Sequence, residues 1–117
     1  NFAETNLEGT YFKDANLKDS NFKNAKLTGS NLTESYCRGT NFKEANLEFV
    51  NFKDADLGRA NLEGSKVRGV IFKDANLRDA NFKNVELAGV NLNSVDMEGV
   101  KNLKTLSFQS YKEGLAK

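Results

Sequence analysis

The sequence predicts an all-β solenoid, a parallel β-helix with four sides to each coil, and three observations carry that expectation. Every fifth residue from Phe2 to Met97 is apolar. These twenty positions hold seven Phe, ten Leu, Cys37, Val67 and Met97, although only 38% of the chain is apolar. The position two before each large residue is Ala, Ser, Thr or Val from Thr5 to Val95, and the other three positions are mostly Asn, Lys, Asp, Glu, Gly and Arg. Finally, residues 11–40, 41–70 and 71–100 align as three blocks, with Phe12/42/72, Lys13/43/73, Ala15/45/75, Asn16/46/76 and Leu17/47/77 identical.

A period of five suits neither a lone helix nor a lone strand. Five helical steps of about 100° scatter the set around the helix surface, and a strand alternates it between two faces. A chain that turns a corner every five residues buries the whole set, because each side then points one large and one small residue inward. Four sides close a coil of twenty residues. Coils stack at the spacing of paired strands, about 4.8 Å, so the twenty pentads give five coils and a column about 24 Å tall. The small inward residues follow from the cross-section, which has no room for a large side chain at every inward slot. Seven of the nine glycines (9, 29, 39, 64, 69, 89 and 99) fall two after the large residue. A type II turn demands a positive φ there.

The thirty-residue blocks span one and a half coils, so corresponding residues of neighbouring blocks fall on opposite sides. Tandem duplication accounts for them. The hexapeptide FKDANL at 12–17 returns at 72–77 because sixty residues are both three whole coils and two whole blocks.

The motifs Ala15-Asn16-Leu17-Lys18-Asp19, Ala45-Asn46-Leu47-Glu48-Phe49, Ala55-Asp56-Leu57-Gly58-Arg59 and Ala75-Asn76-Leu77-Arg78-Asp79, among others, closely resemble the pentapeptide repeat family. The likeness runs without insertion over about residues 1–100. It implies a right-handed quadrilateral β-helix, a handedness that the period does not give.

After Val100 the phase breaks: position 102 is Asn, and the apolar residues shift to Leu103, Leu106, Phe108, Tyr111 and Leu115. The domain expected is therefore a β-helix over 1–100 with a C-terminal cap or tail over 101–117, a short helix or turn packed on the last coil. Capping is its expected work, since an open coil end exposes unpaired backbone and an apolar cross-section. At the other end the chain starts in mid-repeat, which leaves room for a homodimer through a coil end.

A catalytic inventory fails. The chain has no histidine and one cysteine, so it offers no Cys/His pair, no zinc cluster and no Ser/His/Asp arrangement. Cys37 occupies a large-residue slot and reads as a buried small hydrophobe. Several carboxylates stand beside a lysine, as in Lys13-Asp14 and Lys53-Asp54, and the carboxylates read as solvated charge ladders. Asp14, Glu34, Asp54 and Asp74 fall in one column. The asparagines that precede the large residues are expected to bond the backbone of the neighbouring coil. No metal site and no cofactor is proposed.

Departures from the repeat mark the candidate contact surface. Tyr11, Tyr36 and Ile71 replace Asn in an outward slot, and Phe49 fills an outward slot that is otherwise polar or Gly. Large apolar residues that face water suggest a protein partner. The first function is thus a non-enzymatic interaction or scaffold module. Family resemblance implies a second, since some pentapeptide repeat proteins mimic DNA and modulate DNA gyrase. Mimicry needs a dense negative surface. Residues 1–100 carry 13 Lys+Arg and 15 Asp+Glu, a net of −2, and the whole chain is +1. That balance disfavours DNA mimicry and gives little affinity for nucleic acid. A third reading is a structural repeat region inside a longer protein. No apolar run approaches membrane-spanning length, so no membrane partner is expected. The chain begins at Asn1 without methionine, which leaves the compartment open between the cytoplasm and an exported space such as the thylakoid lumen.

Overall fold

The computed structural model describes residues 1–103. Five coils stack in parallel over 1–20, 21–40, 41–60, 61–80 and 81–100. Paired residues are twenty apart on every side. Side one pairs Asn21, Asn41, Asn61, Asn81 and Lys101 in succession; side two pairs Asn6, Lys26, Asn46 and Lys66; side three pairs Tyr11, Asn31, Asn51 and Ile71; side four pairs Asn16, Tyr36, Asp56, Asn76 and Asp96. Each side is a single paired residue between two corners, because a strand that must turn every fifth residue has no room to lengthen.

Three hydrogen bonds repeat along the column. On side one the Phe22 amide donates to the Asn41 carbonyl at 2.7 Å, the Asn24 amide to the Lys43 carbonyl at 3.0 Å, and the Asn41 amide returns to the Ser20 carbonyl at 2.9 Å. Within a coil each corner closes as a turn, as where the Ala25 amide donates to the Phe22 carbonyl at 2.9 Å. The third residue of every turn, each fifth residue from Glu4 to Gly99, has a φ between 57° and 80°. Only seven of these twenty are glycine. The corner imposes the left-handed backbone whichever residue stands there. Asp and Asn supply seven of the thirteen others, the types that tolerate it best.

The duplicated blocks decide the core. A shift of one and a half coils sends Phe22 and Phe42 to side one and Phe12, Phe52 and Phe72 to side three, facing each other across the axis. Rings stack along a side, with Phe22 and Phe42 centroids 5.3 Å apart, and meet edge to face across it, with Phe42 and Phe52 at 5.7 Å. Sides two and four then take seven of the ten large-slot leucines with Cys37, Val67 and Met97, while Leu62 joins side one and Leu32 and Leu92 join side three. Leu27, Leu32, Leu47, Leu57, Leu62, Leu77 and Leu87 are all fully buried. Phe2, Leu7 and Phe12 at one end, and Met97 and Leu103 at the other, are only partly covered.

One expectation changes. The asparagine ladders are local rather than between coils: Asn21 Oδ1 accepts from the Lys23 amide, Asn41 from Lys43, and Asn51 from Lys53, at 2.9–3.0 Å. Each carboxamide satisfies an amide of its own turn, which the ladder leaves free. Side-chain bonds between coils do occur, from Asn76 Nδ2 to Asp56 Oδ1 and from Asn81 Nδ2 to Asn61 Oδ1, but they link side chains to one another. The ion pairs likewise join coils and not sequence neighbours. Lys43, Glu63 and Lys83 form one column on side one, with N···O distances of 3.4 and 3.8 Å.

At the C-terminal end the side-one ladder runs on to Lys101, whose amide donates to the Ala80 carbonyl at 2.8 Å. The rest of the expected capping segment, from 104 onward, lies outside the described residues.

Candidate partner-contact surface

The four departures from the repeat all face solvent, Tyr11 at 70%, Tyr36 at 59%, Phe49 at 51% and Ile71 at 47% exposure. The column places them in three groups. Tyr11 begins the side-three ladder that Ile71 continues, with Asn31 and Asn51 between them. Tyr36 lies on side four between Asn16 and Asp56, in a groove shared with Lys18 and Arg38. There Arg38 lies over Gly58, where a Cβ would collide with its guanidinium, and its Nη1 comes within 3.6 Å of Asp56 Oδ1.

Phe49 forms the corner between sides two and three, with φ 61°. For a bulky aromatic residue this is a true backbone outlier. Its ring rises over Gly69 of the next coil, so close that a Cβ there would sit 2.5 Å from Cδ1 and 2.6 Å from Cε1. Arg68 covers the ring, its Cζ 5.3 Å from the centroid, and turns its Nε to Glu48 Oε2 at 3.5 Å. Gly69 is two residues before Ile71. The stacking thus groups Phe49, Arg68 and Ile71 at one corner, while Tyr11 and Tyr36 stand apart.

Beside that corner lies a feature that the sequence reading missed. Among the described residues, no backbone hydrogen bond joins 65–74 of coil four to 84–93 of coil five, and the bridges of sides two and three stop at Lys66 and Ile71. The turns of both coils remain closed, for example Val70 to Val67 and Val90 to Leu87, each at 3.0 Å. The seam is pinned at both ends, where the Gly64 amide donates to Lys83 at 2.9 Å and the Asp96 amide to Ala75 at 3.2 Å. Two grooves of about 400 Å³ lie along it, one bordered by Ile71 and Asn91, the other by Arg68 and Glu86.

The small inward slots of coil five differ from those beneath them. Val85, Val90, Val95 and Val100 fill four successive small slots that hold Ala, Ser or Thr in most of the earlier coils. Val90 stacks on Val70 where sides two and three meet, with Val85 and Val95 at the flanking corners. Valine stacking alone does not open the ladder, since Val70 lies on Val50 one coil below with the Ile71 amide still donating to the Val50 carbonyl at 3.0 Å.

Cys37 is fully buried and 3.3 Å from Ser35 Oγ. Burial pushes its thiol up to about 11, which leaves it protonated and unreactive at neutral pH.

A sequence profile of the pentapeptide repeat region matches residues 40–112, and one of eight pentapeptide repeats matches residues 1–33. No curated protein matches the chain. Among solved structures it is similar to the pentapeptide repeat protein Rfr23 of the cyanobacterium Cyanothece 51142, at 27% identity and TM-score 0.73, covering 85% of this chain and 86% of that one. A pentapeptide repeat protein of the Arabidopsis thaliana thylakoid lumen matches at 24% identity and TM-score 0.59, over 86% of this chain and 63% of that one. HetL of Nostoc sp. strain PCC 7120, involved in heterocyst differentiation regulation, matches at 21% identity and TM-score 0.59, over 86% and 58%. The last two likenesses concern the fold alone, the right-handed quadrilateral β-helix.

Proposed function

The chain belongs to the pentapeptide repeat family, and on that premise we propose that it is a non-enzymatic protein-interaction module, a rigid column that presents a few outward apolar side chains to a protein partner. The observation that carries this reading is Phe49. Glycine holds the left-handed corner directly below it, at Gly29, and directly above it, at Gly69. Phe49 accepts the unfavourable backbone and still leaves half of its surface in water. Folding alone gains little from such a choice, whereas a half-exposed aromatic ring beside an arginine is the usual anchor of a protein interface.

The chemistry of the column agrees. Its one thiol is buried and protonated, and its ion pairs tie successive coils together. Contact at the Phe49–Ile71 corner, with Tyr11 and Tyr36 as separate outer contacts, explains the departures from the repeat without any catalytic role.

A consensus reversion tests the proposal. Tyr11→Asn, Tyr36→Asn, Phe49→Gly and Ile71→Asn restore the residues that the repeat itself uses, so the column should keep its thermal midpoint. Affinity capture from source lysate should recover a partner with the native chain and lose it with the reverted chain. Equal recovery by both chains, with the fold intact, would reject these four residues as the contact surface.

A further inference from the structure

We propose that the side-four groove at Tyr36 binds a neutral sugar, one pyranose residue of an oligosaccharide. The site goes beyond the protein contact at the Phe49–Ile71 corner and gives Tyr36 a ligand of its own. The groove has a volume of about 380 Å³ and is lined by Asp14, Asn16, Lys18, Tyr36, Arg38 and Asp56. More than half of Tyr36 is open to solvent. An open aromatic ring offers an apolar platform for the C–H face of a sugar ring, and the polar groups around it fix what the rest of the ligand must satisfy.

Those polar groups are held in place by bonds that leave other atoms of the same side chains unused. Asn16 Oδ1 accepts from the Lys18 amide at 3.2 Å, so its Nδ2 stays available to donate. Asp56 Oδ1 accepts from the Gly58 amide at 3.0 Å and from Asn76 Nδ2 at 3.1 Å, which leaves Oδ2 as an acceptor. Arg38 has its Nη1 buried, 3.6 Å from Asp56 Oδ1, and the rest of its planar fork can donate. Asp14, Lys18 and the Tyr36 hydroxyl make no side-chain hydrogen bond or ion pair among the described residues. Gly58 belongs to the same arrangement. It is the one described glycine outside a positive-φ corner, and the other nineteen positions that directly follow a large residue all carry a side chain. The turn does not ask for glycine there; a Cβ would collide with the Arg38 guanidinium, so glycine lets Arg38 lie against the next coil.

Charge and backbone select the occupant. Two cations and two carboxylates line the groove and cancel, and Arg38 and Asp56 already face each other, so an ionic ligand would have to break that pair. The main chain is closed as well: the Tyr36 amide donates to the Ala15 carbonyl at 2.9 Å, the Leu17 amide to the Tyr36 carbonyl at 2.8 Å, and the Cys37 amide to the Asp56 carbonyl at 2.7 Å. A peptide backbone finds no strand edge here. Sugar hydroxyls each donate and accept, so they use an amide, a guanidinium and two carboxylates together and leave the ion pair intact.

The test uses the full chain, isotope-labelled for amide NMR, and a panel of neutral oligosaccharides of glucose, galactose, mannose and N-acetylglucosamine. At least one should bind saturably at about 10 mM or below, with amide shifts centred on 16–18, 36–38 and 56–58. Tyr36→Asn, which restores the repeat residue, should weaken that binding by about tenfold or more. Gly58→Ala should weaken it by about threefold or more, through Arg38, at an unchanged or higher unfolding midpoint. Phe49→Gly should leave it unchanged. No saturable shift with any member of the panel overturns the proposal, as does equal binding by the Tyr36→Asn chain. Shifts at these amides with inorganic phosphate or free aspartate, and none with the panel, would assign the groove to a charged ligand and reject the sugar. A lysate partner lost with Tyr36→Asn while no sugar binds keeps the interaction reading and rejects the sugar site; sugar binding together with equal capture by the fully reverted chain does the reverse.

Discussion

Replacing Gly69 with alanine probes the corner that carries Phe49, because two separate costs meet there. The first is backbone: Gly69 has φ 71°, and an L residue in that region costs about 1–2 kcal/mol. Gly29, two coils below with φ 70° and nothing within 4 Å of an added Cβ, isolates this term. Gly29→Ala should cost about 1 kcal/mol once the smaller unfolded-state entropy of alanine is set against it. The second cost is steric. An alanine Cβ at 69 would lie 2.5 Å from the Phe49 ring, which must swing out from its seat. Phe49 is 51% exposed, so roughly 100 Å² of a ~200 Å² side chain is covered, with a ceiling of about 2.5 kcal/mol. A ring that swings forfeits part of that, about 1–2 kcal/mol, and loosens its contact with Arg68. Gly69→Ala should therefore cost about 2–3 kcal/mol in total. In urea, with a slope of about 1.5 kcal/mol per molar, its midpoint should fall roughly 1.5–2 M against roughly 0.7 M for Gly29→Ala. A double-mutant cycle completes the test: in a Phe49→Ala background the cost of Gly69→Ala should drop to that of Gly29→Ala, a coupling of about 1–2 kcal/mol. Equal midpoints for the two single variants, or zero coupling, would refute the seating of Phe49 on Gly69.

Two further outcomes follow from the interior and the surface of the column. The Cys37 thiol is raised from an ordinary 9.0 to about 11, so the unfolded chain ionises first and stability present below pH 9 is lost as pH rises towards 11, by about 2–3 kcal/mol. Urea midpoints measured from pH 8 to 11 should show that fall in the native chain and not in Cys37→Ala; a parallel pH profile in both would refute it. Glu63 lies between Lys43 and Lys83 at 3.4 and 3.8 Å, but both lysine side chains are well exposed. Glu63→Gln should cost under about 1 kcal/mol at low salt, and the difference should vanish near 1 M NaCl. A larger, salt-independent loss would mean that the column relies on this pairing far more than its exposure allows.

Much of the candidate surface was legible in the chain itself. Tyr11, Tyr36, Phe49 and Ile71 stood out because a strict repeat makes any outward apolar residue visible, and all four face water. Their grouping was not legible. Ile71 shares a ladder with Tyr11, yet its neighbour at the corner is Phe49, which rises one coil onto Gly69 and brings Arg68 with it. Carboxamide partners were misjudged for a related reason. A one-dimensional pattern shows that Asn21 and Asn41 stack, but only the turn geometry shows that each oxygen finds the amide two residues ahead first. The ion pairs follow the same logic, since a lysine at a tight corner is carried away from its sequence neighbour and towards the residue twenty positions on.

By itself the sequence determined the coil, its four sides, the inward and outward slots and the core that fills them. A five-residue period with uniformly apolar centres has one way to bury them all, and each residue's surroundings are then set by its neighbours five and twenty positions away. Tertiary structure alone decided where that regularity fails. The left-handed backbone reaches all twenty corners, and not the glycines only, because chain closure imposes the turn on whatever residue stands there. Pairing lapses on sides two and three between coils four and five although the five-residue pattern runs on unbroken, because pairing depends on how two stretches twenty residues apart stack, which no single repeat contains.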